Sequence, residues 1–459
     1  MAAKPEKLST DTKLLKLKNK VGKPKSAIYF PLLMLIIVCV HMLDEICGII
    51  NNDMQSAVVK EFLVTPDKPY NEALSQFGAL TTICGAFTII APFYKTLADR
   101  FGRKPFFFIN TVGMALGLTL CWQSPNFAVY CIGYGMMSFF ISHDMQVVYI
   151  YEVAPVDKRA SFYGITKCIG TLGMAAVPLL RDSFMGGDET KWRNVYTIPV
   201  IFCFAVALVI LVFARESDVF LNKRIDLMEK ARRAQAQNVA TPEAEKSDEQ
   251  KIGVFPAVKY IFKNSDLRWL VISHTLYGFG FTSISSYYQS IMSEGYGMSV
   301  EDVTTALYFF PFVFAAIILV FGFFGDRFGR KKVVVINAAT TIVSLILFNY
   351  TAYKGMSPYL VGLFCALSRG SYYNGYDYIA MMAAEKAPTQ IRNSVLGAEN
   401  LVAYLGTGLG MVTLIALFYF FEPIGLVCMS VSLPTLFVSM FMLWAKVKES
   451  KGADLASIS

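Results

Sequence analysis

Titratable side chains recur in this sequence where apolar ones are the rule. The stretch HMLDEICGIINNDMQS holds His41, Asp44, Glu45, Gly48, Asn51, Asn52 and Gln55. On a helix these follow i, i+3, i+4, i+7 spacing and share one side, a polar stripe along an apolar rod. SHDMQ supplies His143 and Asp144, and Lys167 stands in a further apolar run. SHTLYGFGFTSISSYYQS supplies His274, Tyr277, Tyr287, Tyr288 and Gln289, and SRGSYYNGYDY supplies Arg369, Tyr373 and Asp377. A carboxylate at mid-bilayer costs about 2.5–3.5 kcal/mol on insertion scales, so it faces a cavity or a partner. Desolvation brings such a group toward working pH, and histidine titrates there unaided. The chemistry expected is therefore proton exchange at Asp44, Glu45, Asp144 or Asp377, with a small solute bound nearby.

A purely structural use of the same residues is the alternative. Arg369 and Asp377 sit two turns apart and can neutralise each other through a bridging group. Lys167 can neutralise Asp144 or Asp44. His41 or His143 can bond a carbonyl, and Glu399 can serve inter-helix packing. Acids outnumber bases, which favours protons or a cationic or neutral solute, while Arg369 leaves a monocarboxylate open. The Tyr and Phe rings offer faces for a sugar or an aromatic compound. His41 with Asp44, or His143 with Asp144, is too small a set to define a metal site. No metal and no cofactor is expected. The nine cysteines suggest no disulfide framework and read as small packing residues.

The elements that must position these groups are long apolar blocks. The chain has 459 residues, 55% hydrophobic and 17% charged, and a soluble chain carries more charge. Twelve blocks of bilayer-spanning length cover roughly 27–53, 73–96, 105–122, 127–152, 160–180, 194–214, 267–292, 303–324, 333–351, 358–384, 394–421 and 423–445. The first follows a lysine-rich start, but the eleven behind it and the lack of an A-x-A-like site argue against a signal peptide. With both ends cytosolic, the outer loops hold only Lys60, Lys68, Arg181, Lys191, Arg193 and Lys354 of the Lys and Arg. That is the positive-inside pattern, not a nucleic-acid-binding face.

One half is written twice. DRFGRK runs from Asp99 to Lys104 and again from Asp326 to Lys331, 227 positions on. EVAPVDKRASFYG (Glu152 to Gly164) matches EKAPTQIRNSVLG (Glu385 to Gly397), and Glu216-Ser217 matches Glu449-Ser450, both at an offset of 233. Asp144 and Asp377 share that offset. The expected fold is an all-α membrane protein of twelve transmembrane helices in two pseudo-symmetric six-helix bundles, in parallel repeat. The organisation is a basic cytosolic tail (1–26), an N-terminal bundle (27–214), a cytosolic linker (215–266), a C-terminal bundle (267–445) and a cytosolic tail (446–459). The linker reads as helical from about Asn222 to Gln237. Gly102 and Gly329 permit the tight turn, with Asp99 and Asp326 set to meet the positive end of a helix. Pro155 and Pro388 should end helices 4 and 10 just before them.

Twelve spans in six-plus-six form, with D-R-F-G-R-K after helices 2 and 8, E-x-A-P-x-x-x-R after helices 4 and 10, and R-E-S after helix 6, resemble the major facilitator superfamily, in particular its sugar-porter and organic-ion branches. The Gln-Gln pair and Asn that sugar porters carry in helix 7 are missing. The resemblance implies that helices 1, 4, 7 and 10 line the pathway. It also implies a cytosolic gate of Asp99, Arg100, Arg103, Glu152, Arg159, Asp326, Arg327, Arg330, Glu385 and Arg392, with Glu152 paired to Arg103 and Glu385 to Arg330. The function expected is a secondary active transporter in the cell membrane, both termini cytoplasmic, functional as a monomer and moving a small organic solute by proton-coupled symport. The alternatives are a non-transporting sensor on the same fold and a proton-antiporting exporter. An enzyme is not expected, since no H-E-x-x-H, G-x-S-x-G or Walker A sequence occurs.

Overall fold

The computed structural model describes residues 10–21, 28–90, 94, 101–141, 149–150, 152–155, 159–236, 254–388 and 391–450. Asp99, Arg100, His143 and Asp144 lie outside the described residues. The described regular structure is helical, apart from one isolated bridge between Thr65 and Lys68.

The spans follow the apolar blocks. Span 1 is Tyr29–Asp53, and after a break at Met54 a separate short helix, Gln55–Phe62, follows beyond the span. Span 2 starts at Tyr70, span 3 is Arg103–Trp122, and span 4 starts at Phe127. Span 5 is Arg159–Gly173 and Ala176–Met185, and span 6 is Thr197–Phe213. In the second half, span 7 is Ser265–Ser285, resumed at Tyr288, and span 8 is Val300–Leu307 with Phe309–Phe328. Spans 9 to 12 are Arg330–Tyr353, Pro358–Lys386, Arg392–Phe420 and Ile424–Lys446. Eight of the described helices are long and apolar enough to cross a membrane. Spans 7 and 10 are not among them because Ser, Tyr, Asn, His and Arg interrupt their apolar runs. A helix too polar for lipid on every side must bury its polar side within the protein.

Local chemistry sets the ends. The helix of span 4 stops at Val153 and that of span 10 at Lys386, each shortly before a proline. Asn126 caps span 4 by accepting the Val129 N–H (3.0 Å), and Ser299 caps span 8 by accepting the Asp302 N–H (3.1 Å). Gly102 and Gly329 hold φ of 113° and 102°, which side chains resist. Spans 3 and 4 pack closely through Gly117 and Gly133, where an added Cβ would lie 2.8 Å from the Met137 nitrogen or the Gly117 oxygen. Between the halves, span 2 packs on span 11 and span 5 on span 8. The linker helix, Asp218–Ala236, lies against the helix Thr10–Val21, with Lys18 Nζ 2.6 Å from Glu229.

One residue is placed differently from expectation. Arg181 does not occupy an outer loop. A turn at Met174 and Ala175 is followed by a second helix, Ala176–Met185, which carries Arg181 inward until it is 1% exposed.

Candidate functional site

At the end of the bundle that carries the linker helix, each half carries the same latch. Arg103 Nε lies 3.0 Å from Glu152 Oε1, and Arg330 Nε lies 3.3 Å from Glu385 Oε1. Ser217 Oγ donates to the second Glu152 oxygen, as Ser450 Oγ does to Glu385. The backbone N–H groups of Arg103 and Arg330, which open spans 3 and 9, each donate 2.8 Å to Glu216 and Glu449. Carboxylates from the R-E-S and K-E-S segments thus cap these helices. Burial pushes the Glu216 carboxyl above its usual range, against the backbone N–H groups of Arg103, Ser217 and Lys104. Arg327 lies with its guanidinium 5.6 Å from the Phe328 ring, and Arg159 and Arg392 open spans 5 and 11.

At the opposite end the halves are tied together. The Ser56 N–H donates to Gln289 Oε1 (2.7 Å), and Ser56 Oγ to Glu294 Oε1 (2.9 Å). Ser290 Oγ donates to Gln55 Oε1 (2.7 Å) and lies 2.8 Å from the Tyr70 hydroxyl. Lys60 Nζ bridges Glu189 (2.8 Å) in its own half and Glu294 (2.7 Å) in the other. Burial works against that ammonium, but the two carboxylates hold its pKa above the ordinary lysine value.

Between these ends lies a mid-depth polar layer. Lys167 Nζ of span 5 is 3.2 Å from Asp377 Oδ2 of span 10, so the pair joins the halves. Asp377 is 58% exposed although it stands eight residues inside Glu385, about 12 Å along the helix. Glu45 lies within electrostatic reach of both, and His41 Nε2 is 3.7 Å from Glu45 Oε1. His41, Glu45, Lys167 and Asp377 are thereby brought together. Asp377 is held by Lys167 rather than by Arg369.

A second layer lies nearer the tied end. Tyr288 donates its hydroxyl to Asp53 Oδ1, and Arg181 donates to the Asp53 carbonyl and, at 3.2 Å, to Thr304 Oγ1. The Arg369 guanidinium carbon sits 3.7 Å from the ring centres of both Tyr288 and Phe310. Tyr373 adds its ring beside Phe310 (6.2 Å) and Phe314 (5.8 Å).

Other candidates turn into one bundle or the other. Asn51 Oδ1 accepts from Tyr196 (2.7 Å) and Tyr130 (3.2 Å), inside the N-terminal bundle. Asp44 is fully buried, with Cys47 and Cys203 for neighbours. Tyr277 stacks on Tyr372 at 4.8 Å inside the C-terminal bundle. His274, also there, bonds through Nδ1 to the buried Glu399, with the Tyr376 ring 4.0 Å away. No group of three or more His, Cys, Asp or Glu suited to a metal occurs among the described residues.

The Major Facilitator Superfamily model matches residues 33–411 and, again, 270–455. The chain belongs to the Major Facilitator Superfamily. It is a multi-pass membrane protein with the twelve-helix, two-bundle fold. It is 23% identical over 334 residues to the glucose transporter GlcP of Staphylococcus epidermidis, covering 68% of this chain and 72% of that one. It is 23% identical over 330 residues to the cis,cis-muconate transport protein of Acinetobacter baylyi, covering 69% and 72%. Two other curated relatives are matched over less of their length, 38% of mouse solute carrier family 22 member 22 and 58% of the arabinose-proton symporter of Bacillus subtilis. Among solved structures, the xylose transporter XylE from E. coli in a partially occluded inward-open conformation superposes with a TM-score of 0.66 at 14% identity, over 93% of this chain and 99% of that one.

Within this superfamily fold, the residues absent from the sequence-based candidates are informative. Asp53 and Arg181 carry charge into the half-to-half interface. The only sequence signal for Asp53 was its place at the end of the polar stripe, and Arg181 read as a loop residue. Glu216 and Glu449 did carry a signal, since they repeat at the same offset as Glu152 and Glu385.

Proposed function

We propose that this transporter is a proton-coupled symporter of the cell membrane, moving a small organic solute inward by alternating access. The observation that carries this reading is the Lys167–Asp377 bridge at 3.2 Å, partly exposed at mid-depth beside Glu45 and His41. With Glu45 protonated, Lys167 pairs with Asp377 and holds the halves together at this depth. With Glu45 ionised, the ammonium is shared between two carboxylates and the bridge weakens. Proton occupancy is thereby linked to the separation of the halves, which is what coupling requires. The tied end faces outward and the latched end inward. With Arg181 buried, the outward loops keep still fewer cations, which supports cytoplasmic termini. The Arg103–Glu152 and Arg330–Glu385 latches act as parts of the inner gate, and the monomer is the working unit.

The relatives are named for arabinose, glucose and cis,cis-muconate, so the solute is assigned only as a small organic compound. The test is uptake into proteoliposomes of a panel of sugars, organic acids and organic cations, with and without an inward proton gradient. Accumulation that follows the gradient is expected. Accumulation unaffected by its collapse refutes proton coupling.

A further inference from the structure

Arg369 is 2% exposed, at mid-depth in span 10 and at the interface of the two halves. Two rings clamp its guanidinium face to face, Tyr288 on one side and Phe310 on the other, each at 3.7 Å. Such a clamp satisfies the faces of the cation and leaves its N–H donors pointing outward in the plane. Among the described residues those donors meet no acceptor. Arg369 Nε has no hydrogen-bond partner, and no hydrogen bond from Arg369 to another described residue is present. Two buried polar groups farther along the same helix, Ser371 Oγ and Asn374 Nδ2, are also without partners.

The charges around it do not balance. Asp53 is the nearby carboxylate, and its Oδ1 is taken by the Tyr288 hydroxyl. Its backbone carbonyl is taken by Arg181, a second fully buried guanidinium. Two arginines therefore face one aspartate in a place removed from water. The carboxylates of Glu189 and Glu294 lie beyond and are engaged by Lys60. A buried, clamped guanidinium with free in-plane donors matches a carboxylate in shape and charge. The rings of Phe310, Phe314 and Tyr373 beside it match an apolar or planar body.

We propose that Arg369 is the substrate-binding cation of this transporter, and that the solute is an organic monocarboxylate whose carboxylate pairs with the Arg369 guanidinium while its body lies against the aromatic wall. The proposal rests on the transport reading above and names its solute. The approach is from the latched end, past the exposed Asp377, which stands eight residues from Arg369 on the same helix, about 12 Å.

The test is equilibrium binding to the purified full-length protein in lipid nanodiscs. The probes are benzoate, phenylacetate and hexanoate, each beside its neutral amide. At least one acid should bind saturably, and its amide at least tenfold more weakly. This comparison needs no variant. Arg369→Gln should lose at least tenfold in affinity for the acid, and Arg369→Lys should retain part of it, with both variants checked for an unchanged elution profile and melting temperature. Equal binding of acid and amide, no saturable binding of any acid, or full affinity in a folded Arg369→Gln protein overturns the assignment. Failure of the transport reading gives a different result. Acids then bind through Arg369, yet no solute crosses the proteoliposome membrane. Gradient-driven uptake of a sugar without any binding of acids would instead leave transport standing and remove this site.

Discussion

Gln289→Leu tests the tie between the halves most directly. Gln289 is 1% exposed, and its Oε1 accepts the Ser56 N–H at 2.7 Å across the interface. Ser56 stands in the first turn of Gln55–Phe62, where an N–H lacks an acceptor within its own helix. Leucine at 289 keeps most of the volume and removes the acceptor. In the tied state the Ser56 N–H then stays buried and unpaired, at a cost of about 1–3 kcal/mol. In the parted state the same N–H meets water, so the penalty falls on one conformation alone. The equilibrium therefore shifts toward parting by roughly 5- to 150-fold. Hydrogen exchange reads this shift as faster amide exchange, since exchange through opening tracks the open population. In nanodiscs, peptides covering 55–62 and 288–295 should speed up by that factor. Peptides from span 12 should not change. Unaltered rates in the first two peptides refute the reasoning, and a uniform rise over the whole chain shows global loosening instead of parting.

Three further outcomes are expected. Glu45→Gln should cut gradient-driven accumulation at least tenfold while leaving energy-independent solute exchange, whereas Asp44→Asn should retain accumulation because Asp44 sits among Cys47 and Cys203 inside one bundle. Equal losses in paired uptake assays would contradict this. Gly102→Ala and Gly329→Ala should each destabilise by about 1–3 kcal/mol, read as a lowered melting temperature, because φ is positive at both and an added Cβ would overlap the Glu216 or Glu449 carboxylate. Glu61 is partly buried, which raises its pKa, but bonds from Arg193 and Trp192 prevail and hold it below the usual carboxylate value. A depressed folded-state pKa stabilises the fold above the unfolded value near 4.5, and that contribution is lost as pH falls through the folded value. Thermal melts of Glu61→Gln should accordingly fall less steeply than wild type below about pH 4.5; parallel curves would remove Glu61 from the account.

The fold was legible in the sequence because its signals are local. Apolar length marks a span, Pro155 and Pro388 mark where helices stop, and a motif repeated at a fixed offset marks a duplicated half. The residues of the latches were legible as recurring charges at recurring places, while their pairing was implied by the family resemblance. The interior was less so. Asp44 and Glu45 are neighbours in sequence, yet a helix turns about 100° between them, and only packing decides which meets the other half. Arg181 was misplaced because nothing in MAAVPLL announces that span 5 bends and continues inward. Asp53 and Glu399 gained meaning only from partners more than a hundred residues away.

The duplication also explains where the chemistry sits. The helices after the breaks in spans 1 and 7 begin at Gln55 and Tyr288, so Ser56 and Gln289, 233 positions apart, are equivalent residues of the two halves. Equivalent residues can bond to each other only near the axis that relates them. The tie at this end is therefore built on the pseudo-two-fold axis, where parting the halves breaks paired contacts together. The latches, being duplicated, serve both halves alike. Several of the interior charges are not duplicated. At the same offset, Lys167 corresponds to Asn400, Arg369 to Met136 and Glu399 to Thr166. On the transport reading proposed above, a single solute bound near the axis is asymmetric. Its recognition must fall to residues that the copies do not share, and Arg369 and Lys167 are such residues at the interface between them.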